Sequence, residues 1–126
     1  MFELKKKEVL RAGNNWRFIS SDTVLLPDIP YRIFTDTDRE VIVTINVNYP
    51  SEPYQGAEYE IWTNGNVLLE LIGHQCYIGS NSKLMKDLRI RTEERASIRL
   101  LCVDYKRPSG IFECQVMTGS LKVTHD

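Results

Sequence analysis

The chain has 126 residues, 42% of them hydrophobic, with 16 basic against 17 acidic side chains and a formal net charge of −1. That length suits one domain with a core of its own, built without help from metals or disulfides. The balanced charge excludes a dedicated nucleic-acid binder, whose phosphate contacts need clustered Lys and Arg, and no apolar run reaches the roughly 18 residues of a membrane span.

Residues 1–15 read as an N-terminal arm. Phe2, Val9 and Leu10 can share a helical face, but no cap opens such a helix and Gly13-Asn14-Asn15 ends it, so an arm or edge strand is expected. Lys5, Lys6, Lys7 and Arg11 make the arm basic. It is either a solvated terminus or a segment that docks on an acidic partner surface. No apolar stretch follows the lysines, so no secretory signal is visible and synthesis in the cytoplasm is expected.

From residue 16 the dominant signal is alternation with period two. Short apolar runs at Trp16–Ile19, Val24–Leu26 and Tyr31–Phe34 are separated by Ser20-Ser21-Asp22 and by Pro27-Asp28-Ile29-Pro30. Val41, Val43, Ile45, Val47 and Tyr49 then fall on one face of an extended segment, a β-branched pattern that predicts a strand. Tyr59, Ile61 and Thr63 predict another, ending at Asn64-Gly65. That dipeptide favours a type I′ hairpin, so Asn66–Ile72 is expected to return antiparallel. Leu88, Ile90 and Thr92 alternate with Arg89 and Arg91, giving a core face and a basic, solvated face. Glu93-Glu94-Arg95 reads as a turn. Ala96–Tyr105 reads as a central strand covered on both sides, Arg107-Pro108-Ser109-Gly110 as a turn and Ile111–Met117 as the return. Thr118-Gly119-Ser120 turns again before Leu121-Lys122-Val123. Strands every eight to twelve residues predict an all-β fold over 16–126, an antiparallel β-sandwich or jelly-roll-like barrel.

Few residue sets carry chemistry. Gly73-His74-Gln75-Cys76 places an imidazole and a thiol two residues apart, and Cys102 and Cys114 would complete a zinc set or leave a catalytic Cys–His pair. The three thiols lie among apolar residues, without a C-x-x-C knuckle, and read as small hydrophobes of the core in a reducing compartment. Asp36, Asp38 and Glu40 lack the glycine turn of a calcium loop and read as a solvated connection. Carboxylates that converge from distant strands for glycoside hydrolysis leave no spacing to read. Tyr49, Tyr54 and Trp62 are candidate exposed aromatics, for a subunit interface or for stacking on sugars. No dinucleotide, phosphate-loop, nucleophile-elbow or zinc-protease motif is present, so neither cofactor nor metal is expected. Charge is uneven: residues 1–20 carry +3, residues 21–60 carry −6 and residues 61–126 carry +2. Such segments are either surface scatter or faces that meet on neighbouring copies.

The order of features resembles a small β module of tailed-bacteriophage virion proteins. It runs from an aromatic strand and Ser-Asp-Thr turn (Trp16 to Thr23), through Tyr31-Arg32-Ile33-Phe34-Thr35 and the valine-rich strand ending at Pro50. The corner Pro50-Ser51-Glu52-Pro53-Tyr54-Gln55-Gly56 follows, then strands from Glu58 to Gly73 and from Ala96 to Val103. The last hairpin of such modules usually carries a Trp, and Phe112 stands in its place. The resemblance covers roughly Trp16 to Leu121. It implies a non-enzymatic homotrimer that decorates a capsid or extends a fibre, with major capsid or other virion proteins as partners and the virion as destination. Lys5, Lys6, Lys7, Arg11, Tyr54 and Trp62 are the candidate partner-binding residues from the chain itself. The alternatives are a carbohydrate- or receptor-binding sandwich, and a small intracellular inhibitor or enzyme.

Overall fold

The computed structural model describes residues 16–35, 39–79 and 83–125. Among them the chain is all-β, with two sheets packed as a sandwich. In chain order the strands are β1 (Arg17–Ile19), β2 (Thr23–Val24), β3 (Pro30–Ile33), β4 (Val41–Thr44), β5 (Glu58–Thr63) and β6 (Val67–Glu70). They continue with β7 (Gln75–Ile78), β8 (Met85–Lys86), β9 (Leu88–Thr92), β10 (Ala96–Lys106), β11 (Ser109–Thr118) and β12 (Lys122–His125). One sheet runs β1-β3-β5-β10-β11-β7-β8 and the other β12-β9-β6-β4-β2. The arm over residues 1–15 lies outside the described residues.

The sandwich agrees with the sequence, but the sheets are mixed and not wholly antiparallel. From β1 to β6 the chain changes sheet at every step. β1, β3 and β5 stack in parallel in one layer, and β2, β4 and β6 stack in parallel in the other. A parallel pair needs a crossover, and here a strand of the opposite sheet supplies it. The first half of the domain is therefore wound like a short three-turn coil. The second half is mostly antiparallel. β10 pairs with β5 and β11, and β9 with β6 and β12, while β7 joins β11 in parallel.

Asn64-Gly65 shows why the local signal misled. β5 and β6 do not form a hairpin; they lie in different sheets. The three residues 64–66 span the gap of roughly 10 Å between layers, which is about the reach of three extended residues. Gly65 is needed for closeness and not for a positive φ: a Cβ there would sit 2.7 Å from Thr35 Oγ1. Threonines lock this corner. Thr35 Oγ1 accepts the Asn66 N–H at 3.1 Å, and Thr92 Oγ1 donates to the Gly65 carbonyl at 2.6 Å while accepting the Val67 N–H at 3.2 Å. Gly119, at φ 81°, does need its left-handed backbone, and a Cβ there would meet the Arg95 carbonyl at 2.5 Å.

Two further expectations change. The strand starting at Val41 ends at Thr44, and the alternation holds only to Ile45, so Tyr49 is 92% exposed in the following loop. β10 is central within its sheet but buries one face along most of its length. Ile98, Leu100 and Cys102 point inward, while Arg99, Leu101 and Val103 stay partly exposed on the outer face. The core joins Tyr31, Ile33, Tyr59, Ile61 and Phe112 of the first sheet to Val41, Val43, Leu69, Leu88 and Ile90 of the second. Phe112 is fully buried, with Tyr59 and His74 edge-on to it at 6.0 and 5.2 Å between centroids.

Candidate functional site

The outer face of the first sheet begins with the alternation of Tyr31-Arg32-Ile33-Phe34. Tyr31 and Ile33 are buried, which turns Arg32 and Phe34 to solvent. Parallel register stacks Phe18, Arg32 and Trp62 across β1, β3 and β5. The Arg32 guanidinium lies 4.5 Å from the Trp16 ring centre and 5.5 Å from that of Trp62, and the two indoles meet edge-on at 6.0 Å. Phe18 and Phe34 stack nearly parallel, 6.0 Å apart, yet remain 64% and 51% exposed. An exposed arginine thus rests on two half-buried indoles while two phenyl rings face water beside it. Phe18 and Phe34 belong to the few large apolar groups left uncovered on the described surface, a feature that marks interaction sites.

Beside this ladder, at the ends of β3 and β5 and against the turn before β10, is a cleft of about 320 Å³. Arg32, Phe34, Trp62, Asn64 and Arg95 line it, with Ile33 and Thr63 at its base. Neither Arg32 nor Arg95 makes an ion pair among the described residues. Asn64 Oδ1 accepts the Thr35 N–H at 3.0 Å, which leaves its amide N–H groups as donors. Among the lining residues Trp62 brings a carboxylate with it, since Glu60 accepts its indole N–H at 2.6 Å.

Of the residues expected to bind a partner, Trp62 is in this site and Tyr54 is not. Tyr54 hydrogen-bonds Asp28, whose own N–H donates to the Glu58 carbonyl at the start of β5. Trp62 is four residues further along that strand, about 13 Å away at the strand rise. Lys5, Lys6, Lys7 and Arg11 lie outside the described residues. The site residues that the sequence reading missed are Trp16, Phe18, Arg32, Phe34 and Arg95. A signal for two of them was available, because inward Tyr31 and Ile33 oblige Arg32 and Phe34 to face out.

The His74–Cys76 pair does not assemble. His74 is buried, its Nδ1 accepts the Gly110 N–H at 2.9 Å, and the Ile45 carbonyl lies close enough to favour the ring's protonated form in part. Cys76, Cys102 and Cys114 are fully buried. Burial pushes Cys76 and Cys114 up to about 12 and Cys102 up to about 11, so they stay protonated at neutral pH. Among the described residues no three His, Cys, Asp or Glu side chains converge as a metal set. A second cleft, of about 410 Å³, runs past His74, Lys86, Asp87 and Ser109. Asp87 is tied there to the Gly73 N–H at 2.7 Å. Of the acidic loop, Asp36 and Asp38 lie outside the described residues and Glu40 pairs with Arg91 at 2.6 Å.

The opposite-signed segments meet within the chain. Every described carboxylate in the acidic stretch has an internal partner. Glu40 pairs with Arg91, Glu52 with Arg107 and Glu58 with Arg99. Asp22 accepts the Ile42 N–H, Asp28 the Glu58 N–H and Glu60 the Trp62 indole. No helix among the described residues is long and apolar enough to cross a membrane. No family model matches the chain and no curated protein matches it.

Proposed function

We propose that the chain is a non-enzymatic structural module of a bacteriophage virion, a capsid decoration protein or short fibre piece. It works as a homotrimer attached to the major capsid or another virion protein. The observation that carries this reading is the exposed aromatic–arginine face on β1, β3 and β5. Trp, Tyr and Arg dominate the energetics of protein interfaces, and a patch of rigid rings orders with little loss of rotamer entropy. Among the described residues the face lies at a sheet edge, where β1 has a neighbour on one side only. A second protruding aromatic is Tyr49, in a loop held down by Glu52, which accepts from Tyr105 at 2.8 Å and Arg107 at 3.1 Å. A rigid scaffold with adhesive faces suits decoration and fibre extension alike.

The test is the absolute mass in solution by light scattering on a sizing column, at tens of micromolar protein. A trimer is expected, and a monomer overturns the assembly. Cosedimentation with capsid-like particles then tests attachment. Deleting residues 1–13 is expected to abolish attachment and leave the fold intact if the basic arm is the docking element; unchanged attachment assigns docking to the aromatic face. A carbohydrate- or receptor-binding module is the second reading, favoured by the cleft beside Trp62. Of the pairs that an enzyme or inhibitor would use, His74 and Cys76 are both committed to the core, and Asp36 with Asp38 lies outside the described residues.

A further inference from the structure

We infer that the cleft between Trp62, Phe34 and Arg95 binds the acidic sugar ring of a glycan, with Arg32 and Arg95 taking its carboxylate. The inference rests on the second reading, a carbohydrate- or receptor-binding module, and names the ligand class of that cleft. Arg32 and Arg95 both line one cleft, and neither has a carboxylate partner among the described residues. An arginine fork matches a carboxylate in two parallel hydrogen bonds. The Arg32 guanidinium already rests against the rings of Trp16 and Trp62, so less freedom is lost when it takes a ligand.

The remaining lining describes the rest of the ligand. Phe34 offers an exposed ring face for the apolar side of a sugar. Asn64, fixed through its Oδ1 by the Thr35 N–H, aims donors at hydroxyl oxygens. The volume of about 320 Å³ suits a small ring better than a folded surface. An acidic peptide carries its carboxylate on a flexible stem and makes less use of a rigid platform. The described surface of a second copy offers few free anions. Among the described residues only Glu94 and Asp104 have carboxylates with no hydrogen bond or ion pair within the chain. Glu60, bound to the Trp62 indole, opposes an anionic ligand and sets a ceiling on its affinity.

The chain holds two tryptophans, Trp16 and Trp62, and both are in this ladder, so intrinsic fluorescence reports on it alone. The experiment titrates the full chain with glucuronic acid, N-acetylneuraminic acid, glucose and a polyglutamate peptide. At least one acidic sugar is expected to give a saturable change with a dissociation constant of roughly millimolar. Glucose is expected to bind at least about tenfold more weakly, and Arg95→Gln to weaken the acidic sugar about tenfold by removing a charge-assisted bond while leaving glucose unchanged. Glu60→Gln is expected to tighten it. Equal response to glucose, response to the peptide alone, or silence to every probe each overturns the inference. The mass of the same sample keeps the two readings apart. A trimer that ignores the sugars removes this inference only, and a monomer that binds them removes the assembly only.

Discussion

At the scale of single residues, His74 shows what burial does to a titratable group. Its pKa lies below the ordinary 6.5 because burial disfavours the cation, and the Ile45 carbonyl and Asp87 counter this only in part. Protonating Nδ1 would also set two N–H donors, its own and that of Gly110, against each other. The folded protein therefore resists taking a proton that the unfolded chain accepts. Stability is flat above about pH 6.5 and declines as pH falls below it, by at most about 1.4 kcal/mol per unit from this group. Urea midpoints between pH 8 and pH 5 are expected to show that fall, and His74→Gln to flatten it at a cost of about 1–3 kcal/mol. A midpoint independent of pH in the wild type would contradict the buried, neutral imidazole. The thiols give a second check. Cys76, Cys102 and Cys114 are expected to ignore a thiol reagent in the native protein, and all three to react in denaturant. One fast native thiol would reopen the catalytic reading. The placement of the thiols was legible in the sequence, because a Cys flanked by Leu and Val reads as core, whereas nothing local to His74 told a buried imidazole from a ligand. Trp62 was legible as well. Arg95 was not, because a turn arginine reaches the cleft only through a register that pairs β10 with β5.

At the scale of elements, alternation revealed the strands and could not reveal their partners. The strands around Val43, Ile61, Ile90, Leu100 and Phe112 stand where period two puts them. The pairing of β1, β3 and β5 skips every second strand, and no local signal encodes that. Asn-Gly is favoured by a hairpin turn and equally tolerated by a corner between layers, so tertiary contacts decide. The corner at Gly65 makes the point measurable. Gly65→Ala forces the Thr35 hydroxyl away from the Asn66 N–H, and a loss of about 1–2 kcal/mol is expected. In a Thr35→Ala background the clash is relieved, so the same substitution costs less, and the double-mutant cycle shows a coupling of at least about 0.5 kcal/mol. Additive losses would mean that the two corners do not touch. A true hairpin at Asn64-Gly65 would show no such coupling, because Thr35 lies in the corner between β3 and β4.

At the scale of the whole molecule, the internal pairing of charge decides how copies can associate. Read along the chain, a −6 segment followed by a +2 segment invites a head-to-tail ring held by opposite faces. Folding consumes that asymmetry, because Glu40, Glu52 and Glu58 pair with Arg91, Arg107 and Arg99, Glu58 and Arg99 on adjacent strands of one sheet. Each of these pairs is partly exposed and contributes at most about 1 kcal/mol. Their larger effect is to leave little net field for steering one copy onto another. What remains uncovered is apolar: Phe18, Phe34, Tyr49 and, toward the end of β11, Val116 and Met117. Association through such groups removes ring surface from water and depends little on screening. The proposed trimer is therefore expected to keep its mass between about 0.05 and 0.5 M salt, a range over which the Debye length shrinks about threefold. Val116→Ser with Met117→Ser, which leaves the cleft beside Phe34 untouched, is expected to shift it toward monomer at unchanged circular dichroism. Dissociation by salt, with no response to the double serine variant, would return assembly to the charged segments and to the basic residues of the arm.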